Sequence, residues 1–116
     1  MELAIAGCGR IATVHLEAIK QLTQNNYDVS ITSLIDTSEK NASIFKDKHK
    51  ITCPIFTNID DALNKSKFDS IIVCIPHVFH EIISLKCFNA NKNVLLEKPM
   101  AHNLKSAHKI LSASLN

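Results

Sequence analysis

The chain has 116 residues, 46% of them apolar; this is one domain's length with enough apolar side chain for a buried core, which excludes a disordered tail. The formal net charge is +2 with histidines neutral, and Arg10 is the only arginine, so neither nucleic acid nor an anionic membrane is expected as a partner. No apolar stretch approaches membrane-spanning length, and Met1 leads into a strand-like segment instead of a secretory leader. Cys8, Cys53, Cys74 and Cys87 form no Cys-x-x-Cys pair. Four reduced thiols in a soluble cytoplasmic protein are expected, with no metal site.

Short apolar runs then alternate with stretches of helical period. Leu3 to Ala6 reads as the first strand. Ile11, Val14, Ala18 and Leu22 recur at intervals of three and four and mark the apolar face of a first helix. Thr23 to Asp28 is polar and reads as a loop, and Val29 to Ile35 as the second strand. Ser38 is placed to cap a helix reaching about His49. Pro54 to Phe56 is a short strand, and Asn58 caps a brief helix with Ile59 and Leu63 on one side.

The segment from Ser70 to Ile75 is the most apolar and does not alternate, as expected of a central parallel strand covered on both faces. Pro76 stops it. A helix follows from about Val78 to Ala90, with Asn91 just past its end in a left-handed conformation. Asn93 to Glu97 is the fifth strand. Pro99 breaks the chain, and Leu104, Ala107, Leu111 and Leu115 form a last helical stripe. The alternation predicts the α/β class: a doubly wound parallel sheet of about five strands, order 3-2-1-4-5, with helices on both faces. No repeat or internal boundary divides residues 1–116, which are read as a single domain.

The chain has 2 glycines, Gly7 and Gly9, both between the first strand and the first helix. In Gly7-Cys8-Gly9-Arg10-Ile11-Ala12, Gly7 permits the sharp turn and Gly9 lets a diphosphate approach the main chain. Ala12 is the small residue that lets helix and strand pack closely. A diphosphate there meets free helix N–H groups and the positive end of the helix dipole. The competing reading is a tight strand-to-helix turn with no ligand. The strand before, the helix after and an acid further on favour a dinucleotide-binding Rossmann unit. The acid is Asp36, 27 residues after Gly9 at the end of the second strand. Its carboxylate can accept both hydroxyls of an adenosine ribose and repel a 2′-phosphate; otherwise it is a surface aspartate capping the helix near Ser38. NAD is therefore expected over NADP, although Thr37 and Ser38 can donate to a 2′-phosphate.

Two later segments carry a resemblance. Ile75-Pro76-His77-Val78-Phe79-His80 follows the central strand, and Leu96-Glu97-Lys98-Pro99-Met100 follows the fifth. With the glycine turn, they resemble the N-terminal domain of the Gfo/Idh/MocA oxidoreductase family over almost the whole chain. The Glu-Lys-Pro element is the most specific part, and the Pro-x-x-x-His spacing supports it. The resemblance implies NAD(P)-dependent oxidation or reduction of sugars, polyols and related compounds. It implies that Lys98 is the catalytic lysine projecting toward nicotinamide and substrate, with Glu97 and Pro99 fixing its backbone. Ile75, Pro76 and His80 match the segment beside the nicotinamide ribose. The implied cofactor contacts are Gly7, Cys8, Gly9, Arg10, Ile11, Asp36, Ile75, Pro76, His80, Glu97 and Lys98.

Lys98 follows the C-terminal end of a parallel strand, where open α/β sheets bind ligands, and a lysine there can polarise a carbonyl or bond a hydroxyl during hydride transfer. Outside the Glu-Lys-Pro context it reads as a solvated surface lysine. The Lys98–Pro99 bond is expected to be cis because the chain must turn sharply. His77 and His80 are expected to pack and cap, since a metal pair lacks a third ligand nearby. His77 stands where the family commonly has asparagine, and Asn91 where it frequently has glycine; both departures bear on the ribose contacts.

The family carries a second α/β domain that holds the substrate pocket, and a sixth strand. Both are expected to be absent from this chain, which ends at Asn116. The expectation is a cofactor-binding half, inactive until a second domain supplies the small-molecule substrate site. The alternative is an NAD(H)-binding module without catalysis, as in a degenerate enzyme or a redox sensor. The fifth strand then becomes an apolar edge, through which self-association is expected.

Overall fold

In the computed structural model, which describes residues 1–116, the apolar runs become five strands: β1 (Glu2–Ala6), β2 (Ser30–Ile35), β3 (Ile55–Phe56), β4 (Ser70–Val73) and β5 (Asn93–Leu96). All pair in parallel in the order β3-β2-β1-β4-β5, the 3-2-1-4-5 arrangement read from the sequence. The connecting helices are α1 (Arg10–Gln24), α2 (Glu39–His49), α3 (Ile59–Lys65) and α4 (His80–Asn89), which a 3-10 turn at His77–Phe79 introduces. The last helix, α5 (Leu104–Ser114), follows β5.

The two-residue period of β1 sorts the core into two layers. Leu3 and Ile5 pack with Leu16 and Ile19 of α1 and Phe45 of α2 on one face of the sheet. Ala4 and Ala6 pack with Ile59 of α3, Phe68, Ile71 and Cys87 of α4 on the other. Helices therefore cover both faces, and β1 and β4 lie at the centre, which explains why the Ser70–Val73 run is apolar without alternation.

Local chemistry sets the element ends. Ser38 Oγ accepts the Asn41 N–H at 3.2 Å, Asn58 Oδ1 the Asp61 N–H at 2.8 Å, and Asn103 Oδ1 the Ser106 N–H at 2.8 Å, so α2, α3 and α5 each start on a side-chain cap. Asn91, just past α4, has φ 55°, and the Lys98–Pro99 bond is cis; both agree with the sequence reading.

Four expectations are corrected. The buried face of α1 is Ala12, Leu16 and Ile19, whereas Ile11, Val14, Ala18 and Leu22 face outward, Val14 at 61% exposure. The glycine turn fixes the phase: it lays Ala12 flat on the sheet, and the rest of the helix follows at 3.6 residues per turn. In α5 the buried residues are Ser106 and Ile110, while Leu104, Leu111 and Leu115 are exposed. This helix packs against α4, tied there by Lys109 Nζ donating to Glu81 Oε1 at 2.6 Å, and that contact selects a different stripe. Finally, α1 runs on to Gln24, into the segment read as a loop, while β4 stops at Val73. The Cys74 N–H still donates to Ala6 O at 2.7 Å, and beyond that bond Cys74 and Ile75 line the space above the sheet.

Candidate functional site

The two glycines do different work. Gly7 has φ +89°, and its N–H donates to Ile35 O at 2.7 Å. A Cβ built on it would lie 2.6 Å from the Cys74 carbonyl oxygen, so the bare backbone is needed for the turn to pass under β4. Gly9 has ordinary extended backbone at φ −95°, and a Cβ there meets nothing within 4 Å. It opens onto empty space at the start of α1, and no side chain caps that helix.

Asp36 links the turn to the second βα unit. Its Oδ2 accepts the Cys8 N–H at 3.0 Å and its Oδ1 the Ser38 N–H at 2.8 Å. The capping reading of this residue holds, since it caps the chain ahead of α2, and the residue also stands half-buried on the wall of the cleft. Each carboxylate oxygen has a further lone pair for an incoming hydroxyl. The thiols nearby are not reactive groups. Burial, and then the Asp36 charge, pushes the Cys8 thiol up to about 12, and burial followed by the Glu97 charge does the same to Cys74, also to about 12. Both stay protonated and serve as packing.

Above these residues is a cleft of about 510 Å³. It is bounded by the glycine turn, the end of β2 from Ile35 to Thr37, the start of α3, and the stretch Cys74-Ile75-Pro76 after β4. It lies at the carboxyl ends of the strands, next to β1 and β4, from which the chain winds in opposite directions; this is where open parallel sheets take ligands. Six expected contact residues meet there: Gly7, Cys8, Gly9, Asp36, Ile75 and Pro76. Arg10 and Ile11 form the first turn of α1, and the exposed Arg10 side chain lines an adjoining surface depression with Asn41 and Lys48, which shares Cys8 and Gly9 with the cleft.

The other expected residues stand apart from the cleft wall. His80 is 1% exposed; its Nδ1 lies 3.0 Å from Pro99 O and 3.2 Å from Met100 O, and its Nε2 3.0 Å from Ile75 O. Its ring is spent on main-chain carbonyls and ties the loop after β4 to the turn after β5. Lys98 is exposed just beyond β5. Its N–H donates to its neighbour's Glu97 Oε2 at 3.2 Å, while Glu97 Oε1 is 2.6 Å from Nε2 of His15 in α1. That hydrogen bond is the main reason the Glu97 carboxyl is held below the usual glutamate range, with smaller help from the Lys98 N–H and the His15 and Lys98 charges.

Sequence reasoning missed His15, and also Lys86, which reaches the cleft wall from α4 and donates to Asp60 Oδ2 at 2.6 Å. No motif or period pairs His15 with a residue 82 positions away; only the sheet order brings α1 beside the end of β5.

A glycine turn opening an uncapped helix, an acid closing the second strand and a cleft at the sheet's winding point together define a nucleotide-binding Rossmann unit. Comparison with known proteins gives the family. The chain belongs to the Gfo/Idh/MocA oxidoreductases, the oxidoreductase family with an NAD-binding Rossmann fold, whose profile matches residues 1–114. It is 28% identical over 114 residues to 4-carboxy-2-hydroxymuconate-6-semialdehyde dehydrogenase from Sphingobium sp., covering 98% of this chain and 35% of that enzyme. It is 24% identical over 111 residues to myo-inositol 2-dehydrogenase from Thermotoga maritima, covering 96% of this chain and 32% of that one. The crystal structure of the WlbA dehydrogenase from Bordetella pertussis, in complex with NADH and UDP-GlcNAcA, shares the fold with a TM-score of 0.87 at 22% identity, over 96% of this chain and 32% of that one. The chain thus spans about one third of the length of these relatives.

Proposed function

We propose that this chain is the cofactor-binding half of an NAD-dependent oxidoreductase acting on a sugar, a polyol or a related hydroxy or carbonyl compound. The observation that carries the reading is the start of α1: it begins without a side-chain cap, whereas α2, α3 and α5 are capped and the likewise uncapped α4 is entered through the 3-10 turn at His77–Phe79, and Gly9 leaves open space in front of α1. The free N–H groups of the first turn, at Arg10 and Ile11, are the natural partners of a diphosphate. Asp36 receives the adenosine ribose hydroxyls and disfavours a 2′-phosphate, hence NAD over NADP. Ile75 and Pro76 form the floor toward the nicotinamide.

When bound, the dinucleotide supplies or takes up a hydride at nicotinamide C4. Lys98 donates a hydrogen bond to the substrate oxygen and exchanges the proton there, with Glu97 and Pro99 holding its backbone. The dehydrogenase names of the relatives support the sugar and polyol class. Since this chain matches only a third of them, turnover requires a polypeptide equivalent to the remaining two thirds, and the chain by itself binds cofactor without turning over substrate. No helix is long and apolar enough to cross a membrane, and the four free cysteines support a cytoplasmic setting. The open edge of β5 is the proposed route of self-association.

The test is a fluorescence titration of the purified chain with NADH, followed by turnover assays after adding the catalytic domain of a relative. Saturable binding, weaker for NADPH, is expected. Lys98→Ala should abolish any reconstituted turnover and leave the NADH Kd within about threefold, a change of under 1 kcal/mol. Loss of binding and turnover together would contradict the role given to Lys98. The absence of any signal with either dinucleotide, on folded protein, would overturn the whole reading.

A further inference from the structure

We propose that His15 is a positioning residue for Lys98, acting through the Glu97 carboxylate. The proposal rests on the reading that Lys98 works at the nicotinamide end of the cleft. His15 lies in α1, the same helix whose N-terminus opens on Gly9. Its Nε2 meets Glu97 Oε1 at 2.6 Å, and the second oxygen of that carboxylate accepts the Lys98 N–H at 3.2 Å. Glu97 is ionised and can only accept, so the proton between it and His15 sits on Nε2. Each oxygen is therefore committed to one donor. A single side chain joins the middle of α1 to the backbone of the lysine.

A solvated surface pair would have little effect. This pair is different in two respects. Both side chains are only 23% exposed, and the carboxylate is held at two points, by a side chain and by the main chain. It is also the sole side-chain hydrogen bond between α1 and the segment after β5. On the far side of the turn, the Pro99 and Met100 carbonyls face the buried His80 ring. Between Gly9 and His15 the helix rises about 9 Å at roughly 1.5 Å per residue. Helix α1 is thus a rigid spacer: one end meets the diphosphate, and the His15 branch sets where the lysine stands relative to it. Losing His15 leaves the cleft wall intact, because His15 is not part of it, but frees the Glu97-Lys98 segment.

The Lys98 amide proton reports this directly. In the chain labelled with 15N-lysine, its NMR shift should titrate with Glu97, since that carboxylate is its acceptor. The groups facing Glu97 are His15, Lys98 and the Cys74 thiol. The midpoint should lie below the usual glutamate range and move upward in His15→Leu, because the largest influence holding it down is removed. His15→Gln keeps a donor near the Nε2 position and should restore most of the shift. His15→Asn, too short to reach, should behave like the leucine variant and serves if that variant does not fold. Glu97→Gln should abolish the transition. A merely structural histidine would move the midpoint and the melting temperature alike but leave the response of the Lys98 amide to saturating NADH as it is in the parent, and an equal NADH response in His15→Leu, His15→Asn and the parent overturns the proposal.

Adding saturating NADH to the unsubstituted chain, uniformly labelled with 15N so that the Gly9 amide is seen as well, tests the underlying reading separately. Movement of the Lys98 amide is expected. If the Gly9 amide moves and Lys98 does not, the lysine is not at the nicotinamide end and its positioning by His15 has no functional meaning, although the His15–Glu97 bond stands.

Discussion

At the scale of single residues, the two glycines are expected to separate folding from binding. Adding a methyl to Gly7 forces it against backbone atoms, the Cys74 oxygen at 2.6 Å and carbon at 2.8 Å, at a positive φ that already disfavours a side chain. Neither atom can rotate away. Gly7→Ala should therefore cost about 2–4 kcal/mol in chemical denaturation. A Cβ added at Gly9 has nothing within 4 Å, so Gly9→Val should leave the unfolding midpoint nearly unchanged. It projects instead into the space proposed for the diphosphate, so the NADH Kd should rise about tenfold, equivalent to roughly 1.4 kcal/mol. If Gly9→Val binds NADH as tightly as the parent, the diphosphate is not against that backbone. The turn role of Gly7 was legible in the sequence, because a chain with 2 glycines keeps one where the backbone must be bare; the diphosphate role of Gly9 is a proposal that this experiment tests. The double use of Asp36 was not legible. Its bond to Cys8 exists because the parallel ladder sets Ala6 beside Ile35, and strand register is not written in either local segment.

At the scale of elements, helix existence, order and the Ser38 and Asn58 caps were readable, whereas the Asn103 cap and helix phase were not. A spacing of three and four residues fits more than one stripe on an apolar helix. In α1, Ile11-Val14-Ala18-Leu22 and Ala12-Leu16-Ile19 both satisfy it, and the choice falls to the turn that presses Ala12 onto β1. In α5, Leu104 and Leu111 make as regular a stripe as the true one. Here the choice falls to α4, which receives Ile110 and Ser106, each under 5% exposed, beside the Glu81–Lys109 pair. Neighbouring leucine and isoleucine in the same helix turn therefore differ sharply. Ile110→Ala should destabilise by about 2–4 kcal/mol, while Leu111→Ala should stay within about 0.5 kcal/mol. Equal losses in paired thermal melts would show that the helix is rotated from the phase described.

At the scale of the whole molecule, strand order followed from the alternation of elements, and the cleft followed from strand order. The opposite edge is governed by what lies over it. Leu95 is paired with Ile72 in register and points to the same face of the sheet, but α1 ends its coverage at β4, and Leu95 remains 54% exposed. Beside it an apolar groove of about 380 Å³ runs between α1 and the last two strands, walled by Leu3, Ile19, Leu22 and Val94. The free backbone edge of β5 adjoins that groove. An unpaired strand with an apolar flank is a template for another strand, and the relatives, three times as long, have chain enough to cover such a surface within one molecule. In the isolated chain the proposed cover is a second copy. Sedimentation velocity should then show an average mass that rises with protein concentration. Leu95→Lys places a charge on the bare face and should hold the chain monomeric over the same range, with NADH affinity unchanged because Leu95 lies outside the cleft. A parent chain that stays monomeric throughout would mean that the edge is too short, at four residues, to hold a partner by strand pairing alone.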